Sequence, residues 1–109
     1  MAEAYKNAYL DITSSAQTLY TAPGSTTSIV FALRVTNVDG ANSDSVTVDI
    51  IDGSSGNSRV AHTILVPADS TLSITGQDKF VLETGDRIDI TGVNASGDLE
   101  AFASILEIT

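Results

Sequence analysis

Short segments in which apolar and polar residues alternate, separated by turn-forming residues, run through nearly the whole chain. A period of two is typical of a half-buried β-strand, because successive side chains point to opposite faces of a sheet. About eight such segments occur at roughly 8–12-residue spacing. They predict an all-β fold, a single jelly-roll-like β-sandwich of about eight antiparallel strands.

The clearest segment covers residues 26–38, where Ile29, Phe31 and Leu33 are predicted to share the buried face. Similar alternation marks residues 44–51 and 87–91. The predicted core residues, taken from these apolar positions, are Phe31, Leu33, Val35, Val48, Ile50, Leu72, Ile88 and Ile90. Pro23-Gly24 predicts a turn with a positive φ at the glycine, and Gly85 can supply another.

With 109 residues the chain is long enough for one domain, residues 1–109, and for one core without disulfides or metal. It contains no cysteine, which excludes disulfides, a thiol nucleophile and thiolate zinc sites. Residues 4–12 favour a first strand over a short helix, and the N-terminal segment 1–16 is a candidate arm. Nothing near the N-terminus matches a secretory signal.

The formal net charge is −9, from 14 acidic and 5 basic residues. Such a surface repels phosphate, so we expect no nucleic-acid partner. Residues 12–33 carry no formal charge, but serines, threonines and a Pro-Gly pair interrupt them. A membrane span is therefore not expected.

Two close acidic pairs, Asp49 with Asp52 and Asp86 with Asp89, are candidates for acid–base chemistry. Their positions on the polar faces of strands and in turns favour solvated carboxylates instead. Asp39, Asn42 and Asp44 offer oxygen ligands for calcium, but their spacing does not match an EF-hand and is ordinary turn chemistry. We predict no catalytic residue, no cofactor and no metal site, and therefore no enzyme.

Several short motifs resemble a widespread group of small virion proteins of tailed phages. The resemblance covers residues 17–109. Its motifs, in chain order, are Leu19-Tyr20-Thr21-Ala22-Pro23, the strand Ile29 to Asn37, Ser45-Val46-Thr47-Val48, Ile64 to Leu72, Leu82 to Ile88, and the terminal Leu106-Glu107-Ile108. Pro23 is followed directly by Gly24, whereas members of the group often have a small residue between the proline and the glycine.

This resemblance implies a non-enzymatic structural protein of the virion, made in the host cytoplasm. A capsid decoration (cement) protein on the head exterior is the leading interpretation, with the major capsid protein or another virion protein as partner. An acidic protein fits the outside of the shell better than the side facing DNA. The alternatives are a neck, tail or fibre protein and a carbohydrate-binding β-sandwich module. Such a module usually has a platform of exposed aromatic residues, and this chain has few aromatic residues from which to build one.

The last strand is apolar on both faces, which indicates that one face is covered by another subunit. The predicted interface, drawn from this strand and from residues 59–66, comprises Leu99, Ala101, Ala103, Ile105, Val60, His62 and Ile64. We therefore expect a homo-oligomer, and the cement-protein analogy favours a trimer. The alternative is that the N-terminal segment covers the second face within one chain. Tyr5, Tyr9 and Tyr20 are further candidates for an interface or for the rim of the core.

Overall fold

The structure, a computed structural model, describes residues 2–53, 56–76, 79–93 and 96–109, with the side chains of 96 and 97 left aside. These residues form nine strands and no helix, which confirms the all-β prediction. The strands are β1 (Glu3–Thr13), β2 (Gln17–Thr21), β3 (Thr27–Asn37), β4 (Asp44–Ile51), β5 (Asn57–Val66), β6 (Thr71–Ser73), β7 (Phe80–Leu82), β8 (Arg87–Gly92) and β9 (Ser96–Ile108). Within these ranges the chain contains no helix able to cross a bilayer.

Two antiparallel sheets pack face to face as a β-sandwich. The order β1-β9-β3-β6 forms one sheet, in which β7 also pairs with β3, and β2-β8-β4-β5 forms the other. Because β6 and β7 pair with opposite ends of β3, they share one position in the sheet. The chain crosses between the sheets at every connection except β4–β5 and β6–β7, and this is the strand order of a jelly roll. The nine strands thus occupy the eight positions that the alternation predicts.

The core lies between the sheets and is built from the inner face of every long strand. Leu33, Val35, Val48, Ile88 and Ile90 are fully buried there, as predicted. Ile50 and Leu72 are partly buried and pack against this core. The remaining buried apolar residues are Ile12, Leu19, Ala22, Val30, Val46, Val66, Leu82, Leu99, Ala101, Ala103 and Ile105.

Phe31 is the error in the predicted core, because its residue is 40% exposed. The pairing of β3 with β9 shifts register between Val30 and Ala32, so Phe31 sits at a β-bulge. A bulge inserts one extra residue and reverses which side chains face inward beyond it. The inner face of β3 therefore passes from Val30 to Leu33, and Ile29 lies outside with Phe31.

Turn geometry agrees with the sequence at one predicted site and differs at the other. Gly85 has φ of 88°, and the turn closes through a bond from the Asp86 amide to the Glu83 carbonyl. At the first turn the positive φ, 54°, belongs to Ser25 and not to Gly24. The left-handed residue of this turn is therefore one position later than the sequence predicts.

Candidate interaction surfaces

Four of the predicted interface residues lie inside the sandwich. Leu99, Ala101, Ala103 and Ile105 form the inner face of β9 and are 0–3% exposed. They occupy the middle of the five-stranded sheet, since β9 pairs with β1 on one side and β3 on the other. These residues are apolar because they pack in the core, so in the folded chain their side chains are not accessible to a second subunit. The interface expected from this face is wrong.

Val60, His62 and Ile64, the rest of the predicted interface, lie on β5 at the edge of the other sheet. Val60 packs partly against the core, while Ile64 and His62 are exposed. They do not share one face, because the pairing of β5 with β4 shifts register twice and Thr63 has φ of 52°. The structure does not bring these three residues together with the β9 set, and contact of β5 with another subunit stays a prediction.

The second apolar face of β9 points outward and joins a row of apolar residues across the five-stranded sheet. Tyr5 lies opposite Leu106, Leu106 lies opposite Ile29, and Ile29 lies opposite Val81. A second row brings Tyr9 opposite Phe102, which lies opposite Arg34. We use the term aromatic face for the apolar outward residues of these rows together with Phe31, which are Tyr5, Tyr9, Ile29, Phe31, Val81, Phe102 and Leu106.

Four of the six aromatic rings of the chain belong to this face and contact one another in pairs. The rings of Tyr5 and Phe31 are 6.0 Å apart between centroids and nearly perpendicular, at 82°. Those of Tyr9 and Phe102 are 5.3 Å apart and inclined at 57°. The Arg34 guanidinium lies 5.2 Å from the Phe102 centroid, within the range of a cation–π contact. Even so, Tyr5 and Tyr9 remain 76% and 70% exposed.

A shallow cleft of about 340 Å³ opens within the aromatic face. Among the described residues, its lining is apolar apart from one ammonium group and one phenol, and consists of Tyr5, Ile29, Phe31, Lys79 and Leu106. The sequence marks Tyr5 and Tyr9 as interface candidates but contains no local sign that they lie beside β9. The pairing of β1 with β9 explains their position, since it brings the odd-numbered residues of β1 next to the even-numbered residues of β9.

The N-terminal segment does not cover this face. It forms β1, a strand added beside β9, and thereby confirms the strand prediction for residues 4–12. Because β1 extends the sheet sideways, it enlarges the apolar surface instead of burying it. The alternative in which the N-terminal segment covers the second face of the last strand is wrong.

The outer face of the four-stranded sheet is polar. Asp49 and Asp89 lie directly opposite each other on β4 and β8, a like-charge pair that is unfavourable by itself. Each carboxylate has its own arginine, with Arg59 Nε 3.4 Å from Asp49 and Arg87 Nε 3.3 Å from Asp89. Both aspartates thus lie on the polar face, as predicted, but they are ion-paired instead of fully solvated.

In the loop considered as a calcium site, the candidate carboxylates accept hydrogen bonds from backbone amides of the same loop. The carboxylate of Asp39 accepts hydrogen bonds from the amides of Ala41 (2.8 Å) and Asn42 (3.2 Å). These bonds hold the pKa of Asp39 below its usual range. Asp44 accepts a bond from the amide of Ser45 at 2.7 Å. The described residues contain no cluster of three or more His, Cys, Asp or Glu placed to hold a metal ion.

A buried polar cluster anchors β1 to the sandwich. The Tyr20 hydroxyl donates to Glu107 at 2.5 Å and lies 2.7 Å from the Ser28 hydroxyl, and Lys6 Nζ is 3.1 Å from the same carboxylate. Burial, and then the bond to Glu107, raise the pKa of Tyr20 to about 12. The hydrogen bond from Tyr20 lowers the pKa of Glu107. The cluster links β1, β2, β3 and β9, and we assign it a structural role.

Comparison with known proteins supports the fold. No family model and no curated protein matches the chain. Among solved structures, the chain is similar to a subunit from a structure described as Bacillus endospore appendages that form disulfide-linked pili, with a TM-score of 0.58 and 17% identity over 99% of this chain and 87% of that one. It also matches a chain of the infectious bursal disease virus Gx strain, with a TM-score of 0.45 and 14% identity over 97% of this chain and 31% of that one.

Proposed function

We propose that this chain is a non-enzymatic structural protein of a phage virion that attaches to its assembly through the aromatic face. The observation that carries the proposal is the contrast between the two outer faces of the sandwich. One carries two rows of apolar residues that include four aromatic rings, and the other carries ion-paired aspartates and arginines. Soluble proteins seldom expose an apolar patch of this kind unless it binds a partner.

The phage setting comes from the sequence motifs. A capsid decoration protein on the head exterior fits best, because the polar face and the charge of −9 suit the solvent side of a shell. The endospore appendage subunit is a precedent for the use of this fold as a building block of an external assembly. The major capsid protein is then the partner, and a neck, tail or fibre protein is the alternative.

A carbohydrate-binding module is the second candidate, since sugars also stack on exposed aromatic residues. The ring geometry disfavours it. Tyr5 and Phe31 meet edge to face, so their rings do not form a flat platform. Among the residues that the structure describes, the polar groups lining the cleft are the Lys79 ammonium and the Tyr5 hydroxyl, which are few for bonding sugar hydroxyls. Binding of a glycan at this face would favour this candidate over the virion protein.

A co-sedimentation experiment tests the proposal. Particles of the encoding phage that lack the chain are mixed with the purified protein, and the bound fraction is measured. Phe31→Ser should abolish binding, because it places a hydroxyl in the centre of the aromatic face. Leu65→Ser is the control, since Leu65 is an exposed apolar residue on the other sheet, at 57% against 40% for Phe31. Equal loss of binding by both variants, or no binding by the unaltered protein, would overturn the proposal.

A further inference from the structure

The two sheets have four edges, and at three of them the edge strand is too short or too irregular to pair readily with another chain. β2 has five residues and a register shift, β5 has two register shifts, and β6 and β7 have only three residues each. Short, bulged or broken edges are how native proteins avoid edge-to-edge association. β1 differs, because its pairing with β9 is regular from Glu3 to Ile12.

The free edge of β1 presents a regular set of backbone groups. Ala2 and Thr109 exchange both of their hydrogen bonds, at 3.1 and 2.9 Å. In an antiparallel ladder such pairs alternate, so the even-numbered residues of β1 bond β9 and the odd-numbered ones direct N–H and C=O away from it. Within the part of the chain that the structure describes, β1 ends the strand order of its sheet. Its outward groups belong to Glu3, Tyr5, Asn7, Tyr9 and Asp11, whose side chains are all exposed.

We propose that two copies of this chain pair through β1, antiparallel and two-fold symmetric about Asn7. In this register Tyr5 lies opposite Tyr9 of the second copy, and the outward groups of both strands form about ten backbone hydrogen bonds. Pairing about Lys6 instead would place two ammonium groups opposite each other, which is unfavourable. The result is one continuous sheet across two sandwiches.

The pairing also makes the aromatic face continuous. Each Tyr5–Phe31 pair meets a Tyr9–Phe102 pair of the second copy across the two-fold axis, and cross-strand aromatic contacts stabilise antiparallel sheets. The inference deepens the proposed function, since two linked faces would engage a shell with higher avidity. A two-fold contact closes on itself, so it yields a dimer in place of the trimer suggested by the cement-protein analogy.

Cysteine cross-linking tests the register, because the chain has no cysteine of its own. Opposed residues of a hydrogen-bonded pair lie about 5.5 Å apart between Cα atoms, within disulfide range. Asn7→Cys should therefore form a covalent dimer under mild oxidation. Glu3→Cys is the matched control on the same strand, since its two copies would lie about 27 Å apart along the paired strands. A mixture of Glu3→Cys and Asp11→Cys should cross-link. Equal cross-linking of Glu3→Cys and Asn7→Cys would overturn the register.

Light scattering coupled to size exclusion tests the pairing itself and needs no phage particle, so it can fail independently of the virion proposal. The unaltered chain should have a dimer mass at micromolar concentration. Asn7→Pro should give a folded monomer, because that amide points away from β9 and proline is tolerated at sheet edges. Asn7→Thr, which keeps the amide, should remain a dimer. A monomeric or trimeric unaltered chain, or a dimeric Asn7→Pro, would overturn the proposal.

Glu3→Lys provides a variant that strengthens the contact and leaves the fold intact. In the proposed register Glu3 faces Asp11 of the second copy, so the unaltered dimer contains a like-charge pair at each end. Reversing the charge of Glu3 should tighten dimerisation about threefold to tenfold, as expected for exposed cross-strand ion pairs. Weaker dimerisation of Glu3→Lys would contradict the register about Asn7.

Discussion

Replacing Val30 and Phe31 one at a time by aspartate should give opposite results, although the residues are neighbours on one strand. Val30 is fully buried, so Val30→Asp would place an unpaired carboxylate in the core. That costs at least several kcal/mol, a large part of the roughly 5–15 kcal/mol stability of a typical domain. We expect Val30→Asp to be unfolded or severely destabilised.

Phe31→Asp should fold. Phe31 is 40% exposed, so its partial burial is worth about 1–2 kcal/mol, and its edge-to-face contact with Tyr5 adds about 0.5–1.5 kcal/mol. The new carboxylate lies on the outer face and stays hydrated. The expected loss in the free energy of unfolding is therefore about 1.5–3.5 kcal/mol.

Urea unfolding followed by far-UV circular dichroism, at protein concentrations low enough to avoid association, measures both variants. Thr27→Asp controls for the added charge, because Thr27 is exposed on the same strand, and should stay within about 0.5 kcal/mol. A folded Val30→Asp together with an unfolded Phe31→Asp would refute the β-bulge and restore Phe31 to the core.

Four further predictions concern the core, the buried polar cluster and the loop after β3. Ala103→Glu should abolish the β-sheet spectrum, since Ala103 is fully buried; a folded variant, judged by circular dichroism, would contradict its core position. The free energy of unfolding, measured as a function of pH, should contain the full contribution of the neutral Tyr20 hydroxyl below about pH 10. This contribution should fall between pH 10 and about 12. Folding lowers the pKa of Glu107, so its contribution to stability should be present above its unfolded pKa and fall as the pH drops through its folded pKa. Glu107→Gln should make stability depend less on pH in this acidic range. An unchanged dependence of stability on acidic pH would contradict the contribution of Glu107. The melting temperature should not change on addition of EDTA, and a sharp drop would identify Asp39 and its loop as a metal site.

Alternation alone predicted the strands, their order of appearance and most of the core. It failed where a strand contains an extra residue. The bulge at Phe31 reverses the faces of β3, and the two shifts in β5 break the alternation that would place Val60, His62 and Ile64 on one face. No residue type marks these positions in the sequence, because bulges depend on the pairing with a neighbouring strand.

The candidate surface could be predicted only in part. Two apolar faces on β9 are visible in the sequence, but the pattern does not show which face fills the core, and the predicted interface of Leu99, Ala101, Ala103 and Ile105 is the buried one. Those residues fill the space between the sheets, while Phe102 and Leu106 lie outside. Choosing between the faces requires the knowledge that β1 pairs with β9, a contact between the two ends of the chain that local patterns do not contain.

A cryo-EM map of the phage particle that carries this chain tests the central claim most directly, namely that the aromatic face is the attachment surface of a virion protein. The account predicts jelly-roll density on the capsid exterior, with Tyr5, Phe31 and Leu106 against the shell and Asp49 and Asp89 toward solvent. Particles without this density, or a bound chain whose aromatic face points to solvent, would contradict it.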